Sequence, residues 1–259
     1  MTAQAEDRQT VVYVYGILPG DVEVEPGAAG VGDPPGEVRV VRHRDLAALV
    51  SDIDPNLPLG RPEDLVAHEE LLDASAADVP VLPLRFGAVV TNDDAVAEEL
   101  LGPHYDEFSA ALEQLEGHAE YVVKGRYMED ALLREVLSED PQAAQLGDQI
   151  RGADPDATRE LRMQLGEIIS NAVEVKRQQD TRTLGDAVDE IAAASVVRPP
   201  SHELDAVYIA LLVETSAADD LEQAVQRLAD DWNGRIELRL IGPMAAYDFV
   251  GTANGAAAS

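Results

Sequence analysis

Histidine and carboxylate side chains that could bind a metal occur in this chain, but their spacing does not match a metal site. His68-Glu69 begins like the zinc-protease pattern HExxH, yet Leu72 stands where the second histidine is needed. Asp52-Ile53-Asp54 approaches a calcium-binding loop, but Pro55 follows and the glycine of that loop is missing. The five histidines are scattered, and the absence of cysteine excludes cysteine–zinc sites, disulfides and thiol catalysis. We therefore expect neither a metal nor another cofactor.

Residues for nucleophilic or phosphate chemistry are also missing from the sequence. No G-x-S-x-G elbow and no GxxxxGK[ST] phosphate loop is present. Gly30-Val31-Gly32 resembles part of a dinucleotide fingerprint, but the third glycine is absent, prolines follow, and no helix is predicted to begin there. Adjacent carboxylates such as Glu69 and Glu70 carry little information in a chain with 50 acidic residues. The residues thus favour a protein that is not an enzyme.

The charge of the chain restricts its partners. The 259 residues include 50 acids and 19 bases, for a net charge of −31. Such a field repels phosphate backbones and anionic membrane surfaces, so neither nucleic acid nor membrane is an expected partner. The longest apolar run, 207–213, is far shorter than the roughly 18 residues of a membrane span. The polar start lacks the apolar segment of a signal peptide, so we expect a soluble, cytoplasmic protein.

The N-terminal half reads as a small α+β unit with the element order β-β-β-α-β-α. Strands are predicted at 10–17, 37–42 and 46–53, and a helix begins at Pro62 and runs to about residue 77. A strand over 79–90 comes next, and helices over 93–101 and 105–115 follow. Asn92 is the predicted N-cap of the first of these two helices.

The predicted strand 79–90 is the central feature of this half. Pro80 and Pro83 cannot donate ladder hydrogen bonds, which places the strand at or near a sheet edge. Arg85 needs a carboxylate partner if its face is covered. The plain interpretation is an ordinary half-buried strand; the alternative is a strand that presents a contact surface. Period-two alternation puts one set of side chains on a common face: Leu82, Leu84, Phe86, Ala88 and Val90.

The C-terminal half has the β-α-β-β-α-β order of a ferredoxin-like sheet. Strands are predicted at 120–127, 195–198, 205–214 (the central one) and 236–240, with helices at 128–137 and 219–232. A loop is expected around Pro141. A long helix starts at Pro155, breaks near 181–185 and resumes to about 194; its apolar stripe is too short and irregular to indicate a coiled coil. We predict an α+β protein with an N-terminal domain over 8–118, a C-terminal domain over 119–250 and a disordered tail over 251–259.

Three stretches of the chain resemble the gas vesicle protein F/L family. Val12 to Ile17, VYVYGI, is similar to that family's opening YxYGI, and His68-Glu69 with VLPLRFG over 81–87 matches its HE…VLPLRFG core. The close over 242–250, GPMAAYDFV, is similar to GPWPPYSFV, although the tryptophan and both later prolines of that pattern are replaced here. The stretch LEG over 115–117 also matches a mid-chain LEG of the family pattern. The resemblance covers about residues 10 to 250.

This resemblance implies an accessory or minor protein of gas vesicle assembly that performs no catalysis. Such a protein would bind the small, very hydrophobic gas vesicle shell protein, limit its aggregation during vesicle nucleation, and also contact other gas vesicle accessory proteins. A polyanionic chain could cover part of an apolar subunit while adding repulsion between complexes. The residues proposed for partner binding are Leu84, Arg85, Phe86, Tyr247 and Phe249.

Two other classes of function are compatible with the residues alone. One is an enzyme or small-ligand-binding α+β module with a pocket between the two domains. The other is a salt-adapted structural scaffold with no specific partner. Gene context separates the enzyme or ligand-binding hypothesis from the hypothesis of gas vesicle assembly. Neighbouring shell-protein genes favour assembly, and a metabolic operon favours the enzyme or ligand-binding module.

Overall fold

A computed structural model describes residues 10–24 and 27–250. The predicted start of the first domain at residue 8 and the predicted tail over 251–259 lie outside these residues. Contacts divide the chain into two compact units. The first unit contains the described residues up to Glu120 together with those from Gly242 onward, and the second is Tyr121–Ile241. Both contain antiparallel sheet and helices, which confirms the mixed α+β class.

The sheet of the first unit is built around its first strand, which pairs on both sides. The strand order is β2-β3-β1-β4, and β5 also pairs with β1. Strand β1 is buried along almost its whole length, as expected for a central strand of β-branched and aromatic residues. The strands are β1 Val11–Pro19, β2 Arg39–His43, β3 Leu46–Ile53, β4 Leu82–Pro83 and β5 Val89–Val90.

The predicted strand 79–90 is wrong as a single element, because a turn divides it into β4 and β5. Ala88 N–H donates to the Arg85 carbonyl (3.2 Å), and Gly87 has φ +91°, a conformation that glycine adopts without steric cost. The strict alternation of faces is therefore lost, and Val81 is buried as well as Leu82. The prediction that this segment lies at a sheet edge is confirmed, because β4 ends the strand order.

The helices of the first unit agree closely with the periodicity of the sequence. Helix α1 packs one side on the core through His68 and Leu72. Asn92 caps α2 as predicted, since its side-chain oxygen accepts from Ala95 N–H (2.9 Å). The helices are α1 Pro62–Ala76, α2 Asp93–Ala95, which continues as a π-helix over Val96–Leu101, and α3 Tyr105–Leu115.

The sheet of the second unit has the order β7-β8-β6-β9, in which the first and third strands of a β-α-β-β-α-β chain lie in the centre. The prediction that the 205–214 strand is central is confirmed, and that strand is buried on both faces. The strands are β6 His118–Tyr127, β7 Ala192–Val197, β8 Asp205–Glu214 and β9 Ile236–Met244.

Two helical predictions for the second unit are wrong. The expected loop around Pro141 is helix α5, which begins because the Asp140 side chain accepts from Gln142 and Ala143 N–H (2.8 and 3.0 Å) and proline is tolerated at the first helical position. The long helix starts at Arg159 rather than Pro155 and runs unbroken to Val188. The helices are α4 Glu129–Glu139, α5 Pro141–Ile150, α6 Arg159–Val188 and α7 Ala218–Asp231.

Candidate partner-binding surface

Residues of the opening and middle motifs meet in a buried aromatic cluster of the first unit. The Tyr13 hydroxyl lies 2.9 Å from His68 Nδ1 and accepts from Gly87 N–H (3.1 Å). Tyr15 stacks on the His68 ring with centroids 5.7 Å apart, and Phe86 approaches the same ring edge-on at 5.6 Å. The YxYGI, HE and VLPLRFG stretches are thus one packing arrangement, held together by hydrogen bonds and rings.

His68 is a neutral core residue in this cluster. Burial lowers its pKa to about 4, and a backbone contact with Leu84 opposes this shift only in part. The Tyr13 hydroxyl and His68 Nδ1 share one hydrogen bond, in which the tautomer of the ring decides which atom donates. The histidine therefore stabilises the fold and is not placed for catalysis.

The Gly30-Val31-Gly32 stretch also has a structural role. Val31 N–H donates to the Tyr15 hydroxyl (2.8 Å), which is itself 2.8 Å from Ser51 Oγ. A Cβ added at Gly30 would clash with the same hydroxyl oxygen, so only glycine fits. Close packing against Tyr15, rather than phosphate binding, accounts for this glycine.

Asp64 fixes the start of α1 and the neighbouring loops. Its carboxylate accepts from the backbone N–H groups of Gly32, Gly60 and Arg61 at 3.0–3.2 Å. The Arg61 guanidinium also donates to it, at 3.3 Å. The Arg61 hydrogen bonds, followed by those of the backbone, lower the pKa of Asp64 to about 2 despite its burial.

The closing motif packs against the same unit. Ala245 N–H donates to Asp73 Oδ1 (3.0 Å), and Asp248 N–H donates to Glu120 Oε2 (2.9 Å). A proline at position 245, as in the family pattern, has no N–H to donate, so the alanine found here adds a hydrogen bond that the pattern lacks. Tyr247 packs against the core of the first unit, and burial raises its pKa.

The five residues predicted to bind a partner differ in exposure. Leu84 is buried, with 1% of its surface exposed, so its side chain cannot reach a partner while the segment stays folded. Arg85 is exposed, whereas Phe86, Tyr247 and Phe249 are half-buried. Phe86 and Tyr247 both pack on the core of the first unit. Arg85 is thus the one member of the set that is exposed.

Sequence reasoning missed a groove on the first unit, between α1 and the loop residues 21–24 and 27–36. One cavity of about 610 Å³ is joined to a second of about 590 Å³ through shared lining residues, Ala28, Leu71 and Ala74. We call the two together the α1 groove. Its sequence signal is weak, because Ala67, Leu71 and Ala74 keep helical spacing but two of them are small.

The α1 groove has an apolar floor and an acidic rim. Arg42 fixes one wall, since its guanidinium donates to the carbonyls of Gly20 (2.9 Å) and Val22 (2.7 Å). Among the described residues that line the 610 Å³ cavity none is basic, whereas Arg61 lines the 590 Å³ cavity. Its carboxylates are those of Asp21, Glu23 and Asp78, and the apolar residues that line it are Leu18, Val22, Val24, Ala28, Leu49, Leu71, Ala74 and Val79.

Metal-binding and membrane-spanning features were sought within residues 10–24 and 27–250. No group of three or more histidine or carboxylate side chains there could hold a metal ion. In the same residues, every helix is too short or too polar to cross a bilayer.

Comparison with known proteins gives a consistent result over nearly the whole chain. Gas vesicle protein F of Streptomyces sp. (strain CB03234) is 35% identical over 242 residues, which cover 92% of this chain and 98% of that protein. Gas vesicle protein L of the same strain is 29% identical, with 93% of each chain covered. The crystal structure of gas vesicle protein GvpF from Anabaena sp. PCC7120 has the same fold, with a TM-score of 0.75 at 23% identity, over 93% of this chain and 98% of that one. The family described as gas vesicle synthesis protein GvpL/GvpF matches residues 11–251, and the chain belongs to this family.

Proposed function

We propose that this protein acts in gas vesicle assembly by binding the small hydrophobic shell protein and limiting its aggregation. Membership of the GvpL/GvpF family supports the role in gas vesicle assembly, and the description of that family names synthesis of the vesicle and no chemical reaction. The binding of the shell protein is our proposal. Other accessory proteins of the vesicle are further proposed partners.

The α1 groove is the observation that carries this proposal. Its apolar floor, contributed by residues such as Leu71 and Val24, offers burial to an apolar segment of a shell subunit. In the 610 Å³ cavity, the carboxylates of Asp21, Glu23 and Asp78 favour a segment flanked by basic residues. Arg85 and the half-buried Phe86, Tyr247 and Phe249 are proposed as additional contacts outside the groove.

The charge of the chain supports the second part of the proposal. At −31, copies of the complex repel one another. A shell subunit whose apolar surface is partly covered would therefore stay dispersed, because collisions between complexes are opposed electrostatically. This repulsion is screened by salt, whereas apolar contacts in the groove are not.

A substitution that fills the groove tests the proposal. Ala74 is exposed and lines both cavities, so Ala74→Trp should fill the groove without disturbing the core. We expect about tenfold weaker binding of the shell protein, or roughly 1.4 kcal/mol, measured by pull-down of labelled shell protein over a concentration series. Ala77→Trp, on an exposed residue outside the groove lining, is the matched control. Equal shell-protein binding by the two variants would exclude the groove.

A further inference from the structure

Helix α6 differs in charge from the rest of the molecule. Between Arg159 and Arg182 it carries five basic and four acidic side chains, a net charge of +1 in a chain of −31. Copies of this protein therefore repel each other over most of their surface but not along this helix. The bases are Arg159, Arg162, Lys176, Arg177 and Arg182, and the acids are Glu160, Glu167, Glu174 and Asp180.

The first half of α6 also presents an apolar stripe that its own unit covers only in part. The stripe spans only two heptads, too short for an extended coiled coil. Its successive members are nevertheless separated by four, three, four and three residues, a spacing that lets two helices pack side by side over a short contact. Four members are half-buried and Val175 is 54% exposed. We call these residues the α6 seam: Leu161, Leu165, Ile168, Ala172 and Val175.

The α6 seam is distinct from the face that α6 packs against its own unit. That face is buried and belongs to the second half of the helix: Val173, Lys176, Asp180, Leu184 and Val188. At 100° per residue, Ile168 and Val175 point well away from Val173 and Leu184. Helix α5 packs along α6, yet every member of the seam keeps part of its surface exposed.

We propose that the α6 seam pairs with the α6 seam of a second copy, in antiparallel orientation. The two helices are aligned so that Leu165 of one copy meets Ile168 of the other and Leu161 meets Ala172. The twofold axis of this register lies near residues 166–167. Arg159 then lies opposite Glu174. The low charge of α6 and the self-complementary register favour a second copy of this chain as the partner. A basic partner would instead bind better to the acidic surfaces elsewhere on the molecule. The inference does not depend on the proposed function.

Sedimentation of the full chain tests this pairing. We expect a monomer–dimer equilibrium that shifts toward dimer between about 0.15 M and 1 M salt, because screening weakens the repulsion between the acidic surfaces. Ile168→Glu should weaken the dimer at least about tenfold with an unchanged circular dichroism spectrum. Ser170→Glu, on an exposed residue of the same helix outside the seam, should dimerise like the wild type.

Cysteine crosslinking keeps the test decisive if Ile168→Glu does not fold. The natural chain has no cysteine, so Gln164→Cys and Asn171→Cys, both on exposed residues beside the seam, are each the single thiol of their chain. A mixture of the two variants should form disulfide-linked dimers faster than either alone, as the antiparallel register requires. A wild-type chain that stays monomeric at high salt, or a seam that binds only a different protein, would overturn the proposal.

Discussion

At the scale of single residues, the polar groups of His68, Tyr13 and Tyr15 serve the fold of the first unit. The Tyr13 hydroxyl joins β1, α1 and the turn before β5 through His68 and Gly87. A buried hydroxyl with both partners present contributes stability, whereas a buried polar atom without partners costs about 1–3 kcal/mol. Tyr13, Tyr15 and His68 of the family motifs therefore serve packing, and partner contacts are proposed only for motif residues that keep exposed surface, such as Arg85 and Phe86.

Asp64 gives a pH-dependent prediction at this scale. Its folded pKa of about 2 lies below the ordinary value of 3.8, so the folded state holds its proton less tightly than the unfolded state does. The carboxylate therefore contributes stability above about pH 4 and loses that contribution as the pH falls toward about 2. Asp64→Asn should cost about 2 kcal/mol of unfolding free energy at pH 6 and close to zero at pH 2, measured by urea denaturation.

A matched substitution separates this effect from general charge removal. Asp33 also pairs with Arg61, at 3.0 Å, but its side chain is 75% exposed. Asp33→Asn should change the unfolding free energy by less than about 1 kcal/mol at either pH. An Asp64→Asn deficit that persists unchanged at pH 2 would contradict the assignment of a low pKa to this carboxyl.

At the scale of elements, a polar network holds the second unit together. Arg235 donates two hydrogen bonds to Asp180 of α6 and one to Glu135 of α4, all at 2.9 Å. Tyr127 of β6 donates to the same Asp180 (2.7 Å). Lys176 joins Glu135 and Glu139 at 2.6 Å each. Burial opposes ionisation of Glu135, but hydrogen bonds from Arg235 and Lys176 outweigh it and lower its pKa.

Removing the Arg235 guanidinium should break this network and leave the carboxylates of Asp180 and Glu135 without their strongest partner. We expect Arg235→Met to lower the unfolding free energy by about 3 kcal/mol. The fluorescence of Trp232, which is buried at the end of α7 and is the one tryptophan of the chain, reports on this unit during denaturation. Arg239→Met, on an exposed residue of β9, should stay within about 0.5 kcal/mol of the wild type; equal losses in the two variants would refute the role of the network.

Element prediction from the sequence succeeded where periodicity alone decides the structure and failed where a contact decides it. The limits of β3 and α3 match the prediction, because β3 is a continuous apolar run followed by polar residues and α3 keeps helical spacing. The division of 79–90 depends on the turn at Gly87, which an apolar period-two run does not reveal. Helix α6 continues past the predicted break because Leu184 and Val188 are buried, and burial outweighs the weak helix propensity of Thr181 and Gly185.

At the scale of the whole molecule, charge and family were readable from the sequence and the candidate binding surface was not. The net charge of −31 follows from composition, and the family follows from short motifs in the right order. The α1 groove depends on how the loop residues 21–24 and 27–36 pack beside α1, with Tyr15 and Arg42 as anchors, and no local pattern encodes that contact. Alanines at 67 and 74 leave space, which only the structure displays.

The most direct test of the account is the solubility of the shell protein when it is co-expressed with this chain. We predict that the shell protein remains in the soluble fraction, co-purifies with this chain, and stays bound at about 1 M salt, because apolar contacts are not screened. Loss of the complex at high salt would assign the binding to charge instead of to the α1 groove. A shell protein that precipitates alone and leaves this chain free in solution would contradict direct binding.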